Sequence, residues 1–240
     1  MFSPSCGPTS TTAGARGSAP SSPRATFFGS VRIIGSIGRR GATAQAERRL
    51  SGCEGSPRMP TPHRPLPVID IATERLKLVA PTIDDAPDIA RFVGDRDVAI
   101  RLASVPHPYG LEDAIHFILR IMPVHSVWAV RRKSDGRFIG VIGLAPTDRP
   151  DADAELGYWY GKPFWGAGYA TEAARGLLGY VDSAGLSRLE AGYFEFNPAS
   201  GRVLEKVGFR ETGRSRRGNL VFQGERPHVD MRRVAVPPSP

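Results

Sequence analysis

An alternation of apolar and polar residues predicts strands along most of the chain from about Pro67 to Val236. The clearest case is Arg75–Ala80, where leucine and charged residues alternate before Pro81 ends the pattern. Farther on, the Asp-Gly pair within Lys133–Gly136 indicates a hairpin turn between two strands. In total we predict seven strands, at residues 75–80, 125–132, 138–144, 153–160, 189–196, 209–216 and 220–234.

Apolar residues spaced three and four positions apart predict four helices between these strands. The first begins at Asp84 and Asp85, whose negative charges favour the positive end of a helix dipole. The others extend over residues 111–122, 171–181 and 200–206. The buried face of the second helix is predicted to contain Ile115, Ile118, Leu119 and Met122. Helices and strands in this order predict an α/β fold with a mixed sheet.

The first 58 residues differ in composition from the rest, because they contain 10 Ser, 9 Gly and 5 Pro. Such a segment buries too little apolar surface to offset its chain entropy, so we expect disorder. Its many Arg and few acidic residues also suit an organelle transit peptide. Alternatively, translation starts at Met59 and the preceding residues are an artefact of the gene model. We therefore divide the chain into a leader over residues 1–66, a domain over residues 67–236 and a tail over residues 237–240.

The formal net charge of +8 is concentrated in this leader. Residues 1–58 hold eight Arg against two Glu, whereas the rest of the chain holds 24 basic and 22 acidic residues. A nearly balanced domain is not expected to bind nucleic acid, although the basic leader leaves DNA binding open as an alternative. No run of about 18 apolar residues occurs, so we expect neither a membrane span nor a membrane partner. The expected location is cytoplasmic, with organelle import through the leader as the alternative.

Cysteine and histidine usage limits the chemistry that the domain can perform. Both cysteines, Cys6 and Cys53, lie in the leader. The domain is therefore not expected to contain a disulfide, a cysteine nucleophile or a thiolate metal site. Its histidines form no pair at metal-ligand spacing, so we expect no bound metal.

A glycine-rich turn between a predicted strand and a predicted helix has the composition of an anion site. Gly166 and Gly168 let the backbone approach a ligand closely, and the following helix presents N–H groups that lack internal partners. The N–H groups of residues 166–170 are therefore predicted to converge on a pyrophosphate. Aromatic residues cluster around the turn and either line a cofactor slot or belong to the core. They are Tyr158, Trp159, Tyr160, Phe164, Trp165 and Tyr169.

Two long motifs resemble those of a known family. Trp165–Ala173 has the sequence WGAGYATEA and resembles the acetyl-CoA pyrophosphate loop of the GNAT N-acetyltransferases. About 28 residues later, Asn197–Phe209 is similar to the second signature of the RimJ/RimL-like branch, which contains the ribosomal-protein N-terminal acetyltransferases. Thr73–Leu78 and Glu155–Trp159 also resemble this branch, so the resemblance covers about residues 70–234.

The resemblance implies the GNAT fold, an α/β architecture flanked by helices. Its mixed, mostly antiparallel sheet of about seven strands splays between the fourth and fifth strands. The pantetheine arm of acetyl-CoA, the implied cosubstrate, lies in that gap and completes the hydrogen bonding of the strand edges. The implied cofactor-binding residues are Tyr158, Trp159 and Tyr160 for pantetheine, Trp165, Gly166, Ala167, Gly168, Tyr169 and Ala170 for the pyrophosphate loop, and Asn197 for pantetheine or the thioester region.

Two positions depart from the pattern of the broad family. Trp165 occupies the first slot of the loop, where Gln or Arg is frequent, although this branch commonly has Trp. Leu204 occupies the position at which many relatives carry a tyrosine that protonates the leaving thiolate. A leucine side chain has no proton to give, so another group must supply one.

Acetyl transfer to an amine needs one group that removes a proton and another that protonates the thiolate. Glu155 is the candidate base because it lies on the strand bordering the gap; the alternative is an exposed structural carboxylate. Ser200 is the candidate acid from its position in the second signature; the alternative is a helix N-cap. Backbone N–H groups of residues 155–160 are expected to polarise the carbonyl. We expect Arg214, Arg216 and Arg217 to lie at a solvated hairpin tip. The alternative is that they contact an acidic substrate or a CoA phosphate.

These features predict an acetyl-CoA-dependent N-acetyltransferase that acts on a primary amine by direct transfer in a ternary complex. A protein N-terminal α-amine is the preferred acceptor, and a small-molecule amine is the alternative. An α-amine with a pKa near 8 is about one-tenth neutral at pH 7, whereas a lysine amine is neutral in fewer than about one in a thousand copies. A non-catalytic acyl-CoA-binding or regulatory module is the second functional class, since Leu204 cannot protonate a thiolate. We expect a monomer or a homodimer.

Overall fold

The computed structural model describes residues 65–234, and within them eight strands form one sheet. Residues 1–64 and 235–240 lie outside the described residues, together with Met59, almost all of the predicted leader and the whole predicted tail. The strands are β1 (Ile71–Ala72), β2 (Leu76–Val79), β3 (Ser126–Arg132), β4 (Phe138–Ala145), β5 (Ala154–Tyr160), β6 (Arg188–Phe194), β7 (Arg210–Asn219) and β8 (Gly224–Val234). The sequence predicted seven of them; β1 was missed because two residues are too few to show an alternation.

Five α-helices flank the sheet in the described part of the chain. They are α1 (Ala86–Val93), α2 (Arg96–Ala99), α3 (Leu111–His116), α4 (Tyr169–Ser183) and α5 (Pro198–Lys206). Four of them confirm predicted helices, whereas α2 is a single turn that no periodicity could indicate. Gly94 and the short α2 place residues 96–103 beside the later strands, where they contribute to the site described below.

The predicted helix over residues 111–122 changes its geometry halfway. After α3, the chain forms a π-helical turn at Phe117–Ile121 and a 3-10 turn at Met122–Val124. A π-turn holds more residues than an α-turn and so rotates the residues that follow it. Phe117 and Ile118 are therefore buried, whereas Leu119 is 58% exposed. The prediction that Leu119 belongs to the buried face was wrong for this reason.

The sheet splits between β5 and β6, as the resemblance implied. These two strands are parallel and pair only at Ala154 with Leu189 and at Glu155 with Glu190. Beyond those pairs β5 continues along β4 and β6 continues along β8, so the facing edges of β5 and β6 separate. All other neighbouring strands are antiparallel, in the order β1-β2-β3-β4-β5-β6-β8-β7.

Alternation along β5 sends successive side chains to opposite faces of the sheet. The Trp159 ring packs against Phe138, with ring centroids 5.9 Å apart, and Phe138 in turn stacks on Phe92 of α1. The neighbouring Tyr158 instead reaches Ser200 of α5. Helix α4 packs its apolar face against the sheet, so both faces of the central strands are covered and β4 is buried along its whole length. The buried residues of α4 are Ala173, Ala174, Leu177, Leu178 and Val181.

Candidate active site

A cleft of about 520 Å³ opens where β5 and β6 separate. Its walls come from the two strands, the turn before α4, the start of α5 and the segment after α2. Eleven of the twelve candidate site residues line it: Glu155, Tyr158, Trp159, Tyr160, Trp165, Gly166, Gly168, Tyr169, Ala170, Asn197 and Ser200. The structure therefore brings together residues that the sequence analysis selected from three separate motifs. Ala167 belongs to the turn but does not line the cleft.

The glycine turn before α4 uses the left-handed backbone region at two positions. Gly166 has φ +76° and Gly168, which begins α4, has φ +81°. A Cβ at Gly166 would meet no atom within 4 Å, so the backbone conformation, rather than lack of space, favours glycine there. The first helical hydrogen bond runs from the Glu172 N–H to the Gly168 carbonyl. The earlier N–H groups of the turn therefore lack helical acceptors and can bind an anion, aided by the helix dipole.

Arg75 fastens this turn to the start of β2. Its Nη1 donates to the Ala167 carbonyl at 3.1 Å, and its Nε donates to Glu172 Oε2 at 2.7 Å. The same carboxylate accepts the Arg75 backbone N–H and the Thr73 hydroxyl. The guanidinium also lies 4.8 Å from the centre of the Tyr169 ring. Arg75 thus fixes the carbonyl of Ala167 away from the cleft, while its own charge is balanced by Glu172.

Aromatic side chains join the turn to the end of β5. Trp165 Nε1 donates to the Tyr160 carbonyl at 2.7 Å, and the Arg101 guanidinium lies 4.8 Å from the Trp165 ring. Because the Trp159 indole packs against the Phe138 ring, the backbone of Trp159 is the part of this residue that faces a cleft ligand. The Tyr160 hydroxyl is buried and has no hydrogen-bond partner in the described part of the chain.

Glu155 is the last residue of β5 that pairs with β6, so it lies at the end of the cleft where the two strands separate. It is only 7% exposed, so the alternative of an exposed structural carboxylate was wrong. Arg217 Nη1 donates to Glu155 Oε1 at 2.8 Å. Arg214 and Arg216 are exposed, as predicted for a solvated hairpin tip. Arg217 is not: its side chain is 24% exposed and lines the cleft, so the prediction was wrong for this residue.

Asn219 explains why the prediction for Arg217 failed. Its side chain is buried and its Nδ2 donates to the carbonyls of Ile100 and Leu102, at 2.8 and 3.3 Å. Its Oδ1 accepts the Phe222 N–H. The turn between β7 and β8 is therefore packed against the segment after α2 instead of standing in solvent. The Gly-Asn sequence indicates a hairpin turn but gives no sign of a contact more than a hundred residues away.

The sequence analysis did not single out His228 of β8, which also lines the cleft. It is 2% exposed, and its Nδ1 lies 3.0 Å from Asp230 Oδ1. Since a carboxylate only accepts, we assign the proton to Nδ1. Burial and the charge of Arg217 lower the pKa of His228 to about 4, so the ring is neutral near pH 7. A Cβ at Gly192 of β6 would lie 2.1 Å from the imidazole, so only glycine fits at that position. A glycine inside a predicted strand is therefore the feature of the sequence that could have indicated a close neighbour such as His228.

Ser200 contacts the cleft from the first turn of α5. Asn197 is the N-cap residue of this helix, so the alternative that Ser200 is the cap was wrong. The Asn197 side chain makes no capping hydrogen bond and is available to a ligand in the cleft. The Tyr158 hydroxyl donates to the Ser200 carbonyl at 3.1 Å, and Ser200 Oγ lies 2.9 Å from the same hydroxyl. Leu204 is buried in the core one turn later.

Residues 65–234 contain neither a cluster of metal-ligating side chains nor a membrane-spanning helix. No group of three or more His, Cys, Asp or Glu residues in this range could hold a metal ion. Within the same range, no helix has both the length and the apolar character needed to cross a membrane.

Comparison with known proteins places this geometry in context. A family model described as an acetyltransferase (GNAT) domain matches residues 75–210, which is more than half of the chain. YoaA of Bacillus subtilis (strain 168), an uncharacterized N-acetyltransferase, is 31% identical over 149 residues, which cover 60% of this chain and 84% of that protein.

Solved structures share the fold at lower identity. The ribosomal-protein-S5-alanine acetyltransferase of Vibrio fischeri superposes with a TM-score of 0.61 at 19% identity, covering 72% of this chain and 100% of that one. RimJ of Mycobacterium smegmatis, solved in complex with CoA-disulfide, gives a TM-score of 0.59 at 22% identity, covering 74% of this chain and 92% of that one.

Proposed function

This chain belongs to the GNAT acetyltransferase family and is an N-acetyltransferase, and from that premise we propose that it transfers the acetyl group of acetyl-CoA to a protein N-terminal α-amine. The observation that carries the proposal is the cleft between β5 and β6, with the glycine turn at the start of α4 on its wall. Its volume falls within the range of about 300–1,000 Å³ that is usual for ligand sites.

The residues of the cleft fit acetyl-CoA at three points. The N–H groups of residues 166–170 suit the pyrophosphate, and Arg75 holds the turn that presents them. The separated edges of β5 and β6 offer backbone groups to the amides of pantetheine, as an added strand would use them. Asn197, whose side chain makes no capping hydrogen bond, offers a polar side-chain contact along the same wall.

The chemistry of the proposal requires a neutral amine and a polarised carbonyl. Glu155 accepts the proton that the acceptor nitrogen loses, directly or through a water molecule, and Arg217 holds its carboxylate in place. Backbone N–H groups of β5 on the edge facing β6 donate to the carbonyl oxygen as it gains negative charge. Binding both substrates in one cleft supplies proximity, so transfer proceeds directly in a ternary complex.

An α-amine is the preferred acceptor for two reasons. It needs less deprotonation than a lysine amine, because about one-tenth of it is already neutral at pH 7. In addition, the Vibrio fischeri enzyme that shares this fold is named for acetylation of an alanine of a ribosomal protein. A small-molecule amine is the competing acceptor class, and an assay with both kinds of amine distinguishes the two.

The test uses the full chain, acetyl-CoA and a panel of acceptors, with release of free thiol as the signal. The panel contains peptides with free N-termini, the same peptides with blocked N-termini and an internal lysine, and small diamines and aminosugars. We expect thiol release with free N-termini and none above background with blocked peptides. Release with small amines alone would overturn the protein acceptor. Absence of calorimetric heat with CoA at millimolar concentration would overturn acetyl-CoA use itself.

A further inference from the structure

Three neighbours hold the imidazole of His228 in one orientation in the wall of the cleft. Asp230 Oδ1 lies 3.0 Å from its Nδ1. The Phe194 ring meets the imidazole at an angle of 83°, with 5.5 Å between the ring centroids. Gly192 provides space for the ring, because a Cβ there would lie 2.1 Å from Cε1 and 2.8 Å from Nε2. His228, Phe194 and Gly192 all line the cleft, so the Cε1–Nε2 edge of the imidazole lies against the same wall.

The hydrogen bond at Nδ1 determines what the other ring nitrogen can do. Asp230 Oδ1 also accepts the Ser215 hydroxyl at 3.1 Å, so this carboxylate acts as an acceptor and the imidazole proton lies on Nδ1. Nε2 of the neutral ring then carries a lone pair and can only accept. Among residues 65–234, no group donates to Nε2. This buried nitrogen is therefore available to an N–H or O–H donor of a ligand in the cleft.

His228 and the proposed base lie on the same face of the sheet. Glu155 of β5 pairs with Glu190 of β6. His228 of β8 pairs with Phe194, which comes four residues later on β6. Directly paired residues, and residues four positions apart on one strand, point to the same face. Arg217 lies near both groups, since it donates to Glu155 and its charge lowers the pKa of His228.

A primary amine bound at this face has one N–H more than the reaction consumes. Its lone pair attacks the thioester carbon and one proton goes to Glu155, which leaves a second N–H that needs an acceptor. A further carboxylate would serve poorly, because negative charge favours the ammonium form, in which the lone pair is occupied. A neutral imidazole accepts the N–H without adding charge. Burial and the charge of Arg217 keep His228 neutral near pH 7.

We propose that His228 Nε2 accepts a hydrogen bond from the acceptor amine, orients its lone pair for attack and selects primary over secondary amines. The inference rests on the proposed acetyl transfer and deepens it, because it names the group that holds the acceptor nitrogen. Glu155 remains the base, and His228 takes no proton in the reaction. A neutral secondary amine has a single N–H, which it loses to Glu155, so none remains for His228.

The test uses the full chain and compares His228→Asn with His228→Gln. Both amides can donate to Asp230, but only the longer glutamine also brings a carbonyl oxygen toward the position of Nε2. For His228→Asn we expect kcat/KM for the amine to fall about tenfold, with KM for acetyl-CoA and the calorimetric Kd for CoA within about twofold of wild type. His228→Gln should recover most of the loss. His116→Asn is the matched control and should change nothing, because His116 is exposed on α3 and does not line the cleft.

A change in the substrate gives the sharper readout. The best amine of the thiol-release panel is compared with its N-methyl derivative, which has one N–H fewer; for a peptide, N-terminal glycine is compared with N-methylglycine. Wild type should prefer the primary amine by about tenfold or more, and His228→Asn should reduce this preference to about threefold or less. His228→Gln should keep the preference, although it also replaces the ring. Such a pattern separates the hydrogen bond from a merely structural effect of losing the imidazole.

Binding of the acceptor can also be followed without turnover. Calorimetric titration of the amine into the complex of the chain with CoA should give a weaker Kd for His228→Asn than for wild type. Denaturant unfolding verifies that each variant is folded. If His228→Asn does not fold, the wild-type chain alone still tests the proposal, because equal kcat/KM for the primary and the N-methyl amine would overturn it.

The two proposals fail in different ways. A wild-type chain that releases no thiol with any amine overturns the proposed function. An active wild type whose folded His228→Asn variant keeps the same kcat/KM for the amine, or the same preference for the primary amine, overturns the role of His228 alone. Weaker CoA binding in His228→Asn, in proportion to its loss of activity, would also overturn it, since the loss would then come from the cosubstrate side of the cleft.

Discussion

The guanidinium of Arg217 lies 2.8 Å from the carboxylate of Glu155, although the two residues are 62 positions apart in the chain. Glu155 comes from the strand at the split in the sheet, and Arg217 comes from the hairpin of β7 and β8. The ion pair therefore joins the proposed base to the β7–β8 hairpin across the wall of the cleft. A charged partner also holds the carboxylate in one orientation, which a general base needs.

Replacement of Glu155 tests its role as the base. We expect Glu155→Gln to lower kcat by about a hundredfold, because the amide cannot accept the proton of the amine. The Kd for CoA should stay unchanged, since the cofactor contacts are backbone groups and other side chains. Glu211→Gln is the control, because Glu211 is exposed and pairs with Arg214 outside the cleft. A kcat for Glu155→Gln within twofold of wild type would remove Glu155 from the mechanism.

Replacement of Arg217 tests the ion pair itself. We expect Arg217→Ala to lower the free energy of unfolding by about 2 kcal/mol, because it leaves the buried Glu155 carboxylate without this partner. Arg216→Ala should change it little, since Arg216 is 61% exposed and lies 3.5 Å from an exposed Glu225. Denaturant unfolding measures both. In a double variant with Glu155→Gln the loss should be smaller than the sum of the two single losses, and strict additivity would argue against the pair.

The same substitution is expected to have opposite effects at the N-cap of α4, Gly168, and inside the helix, at Gly179. Gly168→Ala forces an L-residue into the left-handed region and should destabilise the fold by about 1 kcal/mol and weaken CoA binding about tenfold. Gly179→Ala should raise stability by about 1 kcal/mol, because Gly179 is inside the helix and a Cβ there meets no atom within 4 Å. Calorimetry with CoA and thermal unfolding give the two readouts. Equal CoA affinity in both variants would contradict the pyrophosphate assignment.

The buried His228 predicts a loss of stability in mild acid. Burial and the charge of Arg217 lower its pKa from 6.5 to about 4. Between pH 4 and pH 6.5, the imidazole is therefore protonated in the unfolded chain and neutral in the folded chain. The free energy of unfolding should therefore fall as pH drops from 6.5 toward 4, by at most about 3 kcal/mol from this residue. Above pH 6.5 the contribution is constant.

The variant His228→Gln isolates this contribution, because glutamine does not titrate and can still donate to Asp230. Burial also lowers the pKa of His125, but that residue is present in both proteins and cancels in the difference. The difference in unfolding free energy between wild type and variant should change across pH 4 to 6.5. Parallel stability curves would show that the imidazole is not buried as described.

Local sequence patterns predicted the parts of the fold that depend on neighbouring residues. The order of the main helices and strands followed from periodicity, and the turn at Gly166 and Gly168 followed from a motif nine residues long. The split between β5 and β6 followed from the resemblance and is confirmed by their two-residue pairing. Each of these signals lies within one continuous stretch of chain.

The contacts that complete the candidate site could not be predicted in the same way. In the sheet, β8 lies between β6 and β7, which places His228 beside Gly192. Hydrophobic alternation describes each strand but not its neighbours, so it gave no reason to expect this order. The bonds of Asn219 to the segment after α2, and of Tyr158 to Ser200, likewise join residues that are far apart in sequence.

The side-chain amide of Asn219 fixes the β7–β8 turn to the chain at Ile100–Leu102, so the two stretches keep one position relative to each other. Neither half of this wall can be remodelled without leaving the buried side-chain amide of Asn219 unsatisfied. We therefore expect that grafting a new acceptor preference onto this enzyme will succeed only when both stretches are exchanged as a matched set.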